Sequence, residues 1–293
     1  MSETDLRVPV ILPSANPRMA QAHLPKWVAM GYRVVMFQDP KCRFEVAGCE
    51  VYAAGSYVGY PAAINEMYGA VKGISAAPVV VLIGDDMDPD PFKSPAQIRE
   101  EFLQKFPDTF GVMQPIGDTM DGTDRICGSP WVGRAFANRI NKGRGPLWPE
   151  YFHFYADEEL FNVTTKLGCL WQRRDLSHYH QHWTREGRHR PPHMTAAQDR
   201  WEIDKARHAD RKSKGYPGHE PISWGGDVVI SPRNITPGSP DYDKLLAAAR
   251  SLSIAVFQMR DHWAESSPER QTELWKIAHD RNAELFEVIG PTP

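Results

Sequence analysis

Five apolar residues run without interruption from Val79 to Ile83, and four carboxylates follow within six positions, Asp85, Asp86, Asp88 and Asp90. Such a run is too short to span a bilayer and reads as a strand buried on both faces. Gly84 ends it, and Pro89 and Pro91 forbid helix immediately afterwards. A buried strand that delivers aspartates at its C-terminal edge puts them where open α/β sheets bind ligands. Anions packed this closely repel one another unless water or a divalent cation neutralises them. The competing reading is a solvated acidic turn with no further role.

The flanking chain extends the pattern. Residues 7–12 read as a first strand, 18–30 as a helix that Asn16 or Ser14 can cap, and 32–38 as a second buried strand, which makes a β-α-β unit. Asp39 then stands at the C-terminal edge of the second strand, where a carboxylate can accept hydrogen bonds from a ribose or base, or simply form a turn before Pro40. Residues 61–76 and 95–106 have helical spacing, 50–53 and 110–114 that of short strands, and 131–140 that of a helix. Asp157, Glu158 and Glu159 open a helix that runs to about residue 167, where acidic residues also complement the helix dipole. His178, His180 and His182 have period two and, on a strand, face one way. Metal binding accounts for such a row, although not all three are expected to ligate; a solvated histidine-rich edge is the alternative.

A chain of 293 residues allows one large domain, or one domain with an appendage. We expect an α/β catalytic domain over 1–184, and over 185–293 a basic linker and a C-terminal helical extension with helices at 241–252 and 268–288. Residues 185–214 hold nine Lys/Arg against five Asp/Glu, which reads as a solvated helix and linker or as a basic contact for an anionic partner. The whole-chain charge of −3 does not by itself announce a nucleic-acid binder. Cys42, Cys49, Cys127 and Cys169 are dispersed without zinc-type spacing and read as free thiols of a reducing compartment. The polar N-terminus lacks a signal-peptide pattern, and no stretch nears the roughly 18 apolar residues of a membrane span, so a cytoplasmic protein without membrane contact is expected.

Together the strand with Asp86-Met87-Asp88, the Gly128-Ser129-Pro130-Trp131 loop, the acidic helix start at Asp157 and the late histidines resemble the nucleotide-sugar glycosyltransferases of the GT-A fold, in particular the family-2-like inverting group. The resemblance covers about residues 7–183. It implies a Rossmann-like mixed central sheet with flanking helices. It also implies that Asp86 and Asp88 with His180 or His182 hold Mn²⁺ or Mg²⁺, and that Ser14, Asn16, Asp39, Asp85 and Asp86 meet a nucleoside-diphosphate donor, with UDP favoured. Asp157 then takes the position of the base. Ala156 stands where the family has an acidic residue, which keeps Glu158 as a rival. Ser129, Trp131 and Arg134 fall on the acceptor side.

The compact form, the absence of a membrane anchor and the Pro13-Ser14-Ala15-Asn16-Pro17 start are also similar to bacteriophage-encoded glycosyltransferases, some of which modify hydroxymethylpyrimidines in DNA. That likeness implies a double-stranded DNA partner in a host cytoplasm. A saccharide or protein acceptor, a metal-dependent nucleotidyltransferase and a non-catalytic sugar- or nucleic-acid-binding protein remain the alternatives. Against the nucleotidyltransferase, residues 13–18 offer Arg18 alone where a Gly-rich basic loop is expected.

Overall fold

The computed structural model describes residues 5–52, 56–118, 120, 122–185 and 192–219. The helices expected at 241–252 and 268–288 lie outside the described residues. The strands are β1 (Pro9–Pro13), β2 (Arg33–Phe37), β3 (Glu50–Tyr52), β4 (Val79–Leu82), β5 (Met87–Asp88), β6 (Val112–Pro115), β7 (Trp131–Gly133), β8 (Leu170–Arg173) and β9 (Tyr179–His180). The helices are α1 (Pro17–Ala29), α2 (Tyr60–Ile74), α3 (Pro95–Lys105), α4 (Arg134–Arg139), α5 (Ala156–Lys166), α6 (Pro192–Gln198) and α7 (Trp201–Ser213).

Seven strands form one mixed sheet in the order β3-β2-β1-β4-β7-β6-β8, and β5 pairs with β9 in a separate ribbon. The chain is thus α/β with a Rossmann-like central sheet flanked by helices. β4 is its spine: Val79 to Ile83 are each at most 2% exposed, as the unbroken apolar run requires. Asn16 caps α1 by accepting the Met19 N–H, and Ser94 with Gln97 forms a reciprocal capping box on α3.

β7 corrects the helix expected over 131–140. Trp131 and Val132 lie antiparallel between β4 and β6, with Val80 opposite Val132 and Val112 opposite it on the other side. Helix α4 starts only at Arg134. A side chain at Gly133 would run into the Thr109 carbonyl, so this bend needs glycine. Because β7 is the reversed strand, the C-terminal ends of β1, β2, β4, β6 and β8 share one edge of the sheet. β8 was not apparent from sequence pattern, since its side chains are mostly half-exposed.

Residues 192–219 fall in the same compact unit as the sheet. The reason is α7. It buries Asp204, His208 and Arg211, while Lys205 and Lys212, and Lys214 at its C-terminal end, stay exposed. Arg211 forks onto Glu159 at 2.8 and 2.7 Å and stacks on Trp148 with its guanidinium carbon 3.3 Å from the ring centre. Among the described residues no helix is long and apolar enough to cross a membrane.

Candidate active site

The shared strand edge carries the residues of interest. Ser14 follows β1 and donates its hydroxyl to Asp85 Oδ2 at 2.5 Å. Burial pushes the Asp85 carboxyl up to about 7, with the Asp86 charge adding to the rise and the Ser14 bond opposing it. A folded pKa above the unfolded one means that the native state binds more protons between about pH 4 and 7, so stability falls as pH rises through that window. Asp85→Asn is therefore expected to stabilise the protein by roughly 1–3 kcal/mol at pH 8 and by nothing below pH 4. Urea denaturation at the two pH values measures the difference.

Asp86 lies in the turn that follows. A side chain at Gly84 would come within 2.8 Å of its Oδ1, so the glycine makes room for the carboxylate. Asp86 Oδ2 meets His180 Nε2 at 3.2 Å, and the His180 and His182 rings stand 5.0 Å apart. Burial pushes the Asp86 carboxyl up, but the His180 hydrogen bond and the attraction of His180 and His182 outweigh it, and the net direction is down. The turn is tied to the ribbon by Gln181 N–H on the Asp86 carbonyl at 2.8 Å. Asp118 fixes the other side of His180 by accepting its backbone N–H at 3.0 Å.

Asp88 does not join this group. Register places Met87 opposite His180 and Asp88 opposite Tyr179, and neighbouring residues on a strand face opposite ways. Asp88 therefore turns to α1, where His23 Nδ1 and Lys26 Nζ take its two oxygens at 2.7 and 2.8 Å. The expected meeting of Asp88 with His180 or His182 fails for that reason. Among the described residues no set of three His, Cys, Asp or Glu forms a cation cage. The Asp86 carboxylate and His180 imidazole instead fit an ion that shares its shell with a ligand's phosphates, because such ions need only one or two protein groups.

His178 leaves the histidine row altogether. The strand is only two residues long, so the period-two alignment breaks. His178 is buried, with Nδ1 3.1 Å from the Ser129 carbonyl and Nε2 accepting the Trp131 indole N–H at 3.4 Å. Burial lowers its pKa to about 4, and this neutral ring belongs to the core. Asp39 is a turn residue: its carboxylate accepts the Lys41 and Tyr57 N–H groups at 2.9 and 3.1 Å, and these bonds lower its pKa. It still sits at the edge expected for nucleoside contact, as does Asn16, whose side chain is used in the helix cap.

Asp157 and Glu158 separate. Glu158 faces α7, 3.6 Å from both His208 Nε2 and Lys212 Nζ. Asp157 accepts the Glu158 N–H at 2.9 Å, and burial raises its pKa. Tyr60, at the start of α2, sets its hydroxyl 3.4 Å from the Ile83 carbonyl, just ahead of the aspartate-rich turn. Burial, then the charges of Asp157, Tyr57 and Asp86, all push its phenol up. Asp86 and Asp157, distant in sequence, thus act on one hydroxyl.

The expected acceptor residues need correction. Trp131 is 0% exposed and cannot stack on a ligand. Ser129 is buried, bonded to Gln114 through its N–H at 3.2 Å. Arg134 lies at the other end of the sheet, where it donates to the Ser75 and Ala77 carbonyls beyond α2. Two neighbouring cations are likewise engaged, Arg139 over Phe110 and Arg144 over Trp148. A cavity of about 550 Å³ opens instead beyond β6 and β8, lined in part by Asp118, Thr123, Arg125 and Arg174. Sequence reading missed Tyr60, His23, Lys26 and Asp118, whose types and spacing carry no local signal.

No protein-family model matches the chain, and no match is found among curated proteins.

Proposed function

We propose that the chain is a metal-dependent inverting glycosyltransferase. It moves a sugar from a nucleoside-diphosphate donor, UDP-linked in the first instance, to an acceptor hydroxyl, and a 5-hydroxymethylpyrimidine of duplex DNA is the acceptor to test first. The reading is supported by the Asp86–His180 and Ser14–Asp85 pairs beside the end of β4, by the Tyr60 hydroxyl 3.4 Å from the Ile83 carbonyl there, and by the Asp157 carbonyl, which accepts the Cys127 N–H at 3.1 Å ahead of β7. The mixed sheet supports the GT-A likeness.

In this reading Asp86 and His180 hold Mn²⁺ or Mg²⁺, which when bound offsets the negative charge that develops on a diphosphate leaving group. Ser14 and Asp85 bind the donor, with Asn16 and Asp39 at the nucleoside end. Asp157 takes the proton of the attacking hydroxyl, and its raised pKa suits a base that works near neutral pH. One base opposite one leaving group gives a single displacement and inversion. The acceptor enters the cavity beside Asp118, where the exposed Arg125 and Arg174 meet phosphates.

Thermal unfolding with UDP- and GDP-sugars, with and without Mn²⁺, tests the donor half. A rise in Tm of several degrees that requires both sugar nucleotide and metal is expected; no rise in any combination removes the reading. Duplex DNA binding that weakens steeply with salt tests the acceptor half.

A further inference from the structure

The turn that leads into α5 and Asp157 is held by α7. Asp204 is wholly buried, and its carboxylate accepts three successive backbone N–H groups, from Phe152 at 3.0 and 3.1 Å, His153 at 2.9 Å and Phe154 at 3.1 Å. Oriented N–H groups of this kind form a concave anion seat, here filled by the protein's own side chain. The Phe152 carbonyl in turn accepts the Tyr60 N–H at 2.7 Å. The turn ends at Tyr155, whose φ of 70° is left-handed, and α5 begins with Ala156 and Asp157 directly after it. One helical turn beyond Asp204, His208 lies flat on the Tyr155 ring, with centroids 4.9 Å apart and planes 15° from parallel. Its Nε2 is 3.1 Å from the Tyr216 hydroxyl and 3.6 Å from Glu158 Oε1.

We propose that Asp204 and His208 are positioning residues for the base: Asp204 sets the 152–154 turn from which α5 and Asp157 start, and His208, stacked on Tyr155 at the head of α5, holds that start against α7. This rests on the glycosyltransferase reading. It assigns residues 192–219 to the working site and not to a linker. The groups that act on Asp157 or feel its charge are Glu158 on its own helix, His208 on α7, Tyr60 on α2 and Cys127 before β7.

The test compares the full-length chain with Asp204→Asn and His208→Gln. Asparagine keeps the shape but loses the anion, and glutamine can keep the Tyr216 bond but loses the ring that lies on Tyr155. Asp204→Asn is expected to speed amide exchange at 152–154 at least ~tenfold while β1 and β4 stay protected. It should also lower kcat about 100-fold with KM for the sugar nucleotide within about threefold. Carbon-13 titration of the Asp157 carboxyl should move in both variants. Unchanged exchange in Asp204→Asn, or an Asp157 titration that moves in neither variant, overturns the proposal. If Asp204→Asn does not fold, His208→Gln decides by the titration alone. A wild-type chain that turns over no sugar nucleotide removes the enzyme reading, while exchange and titration still judge the positioning.

Discussion

Asp157→Asn is expected to lower transfer from the sugar nucleotide by about a thousand-fold, with KM for the donor changed less than about threefold. Asparagine keeps the size of the side chain and its bond to the Glu158 N–H, so the helix start survives, but it cannot take a proton. The effect is therefore confined to the step in which the acceptor hydroxyl is deprotonated. Glu158→Gln is the matched control. Its carboxylate faces His208 and Lys212, and a loss of less than about tenfold is expected. Initial rates at saturating and limiting donor separate the two parameters. Turnover of Asp157→Asn within a few-fold of wild type removes the base role, and equal losses in both variants mean that the pair acts through structure alone.

Arg211→Ala is expected to cost about 3–5 kcal/mol of stability, because it strands a carboxylate in the interior. Glu159 is 2% exposed and is met by the Arg211 fork, the Tyr151 hydroxyl at 2.7 Å and His219 Nε2 at 2.9 Å. Burial alone pushes its pKa up, but these partners bring it down to about 2. A depressed folded pKa means that this stabilisation is fully present above the unfolded value near 4.5 and is lost as pH falls towards 2. Acid denaturation of wild type should accordingly steepen below about pH 4, and Arg211→Ala should lack that step. The double variant Glu159→Leu with Arg211→Met is expected to recover more than half of the loss, since apolar replacements of a buried pair are often near neutral. Equilibrium urea unfolding at pH 7 compares all three. A loss below about 1 kcal/mol in Arg211→Ala shows that the pair is not held as described.

Much of the scaffold was legible because burial on both faces leaves a plain mark. β1, β2 and β4 are apolar runs, and α1 carries a cap written in a single residue, Asn16. β7 was not legible. Trp131, Val132 and Phe136 satisfy a helical spacing, and only the gap between β4 and β6 selects extended backbone there. In the site, the aspartate-rich turn was correctly located as an edge feature, but register sorted its members. Asp86 went to His180, Asp88 to His23 and Lys26, and Asp90 to the N–H groups of Phe92, Lys93 and Ser177. A one-residue shift decides such roles, and sequence does not print pairing register. The same limit applies to Trp131 and Arg134. Their chemistry suits a ligand, but a residue's type does not say which way it points. Asp204 was hidden for another reason: it is one carboxylate in a basic segment, and its partners are backbone groups some fifty positions earlier.

His180 reaches Asp86 across 94 positions of chain, through a ribbon whose strands are two residues long. So short a ribbon cannot hold itself together, and its closure follows that of the main sheet. The order of assembly during synthesis is thereby set. A growing chain that has emerged only as far as β8 already owns the strands of its scaffold, yet it lacks the imidazole, and α7 has still to arrive. Among the described residues, the proposed centre is completed only after the main sheet has its last strand.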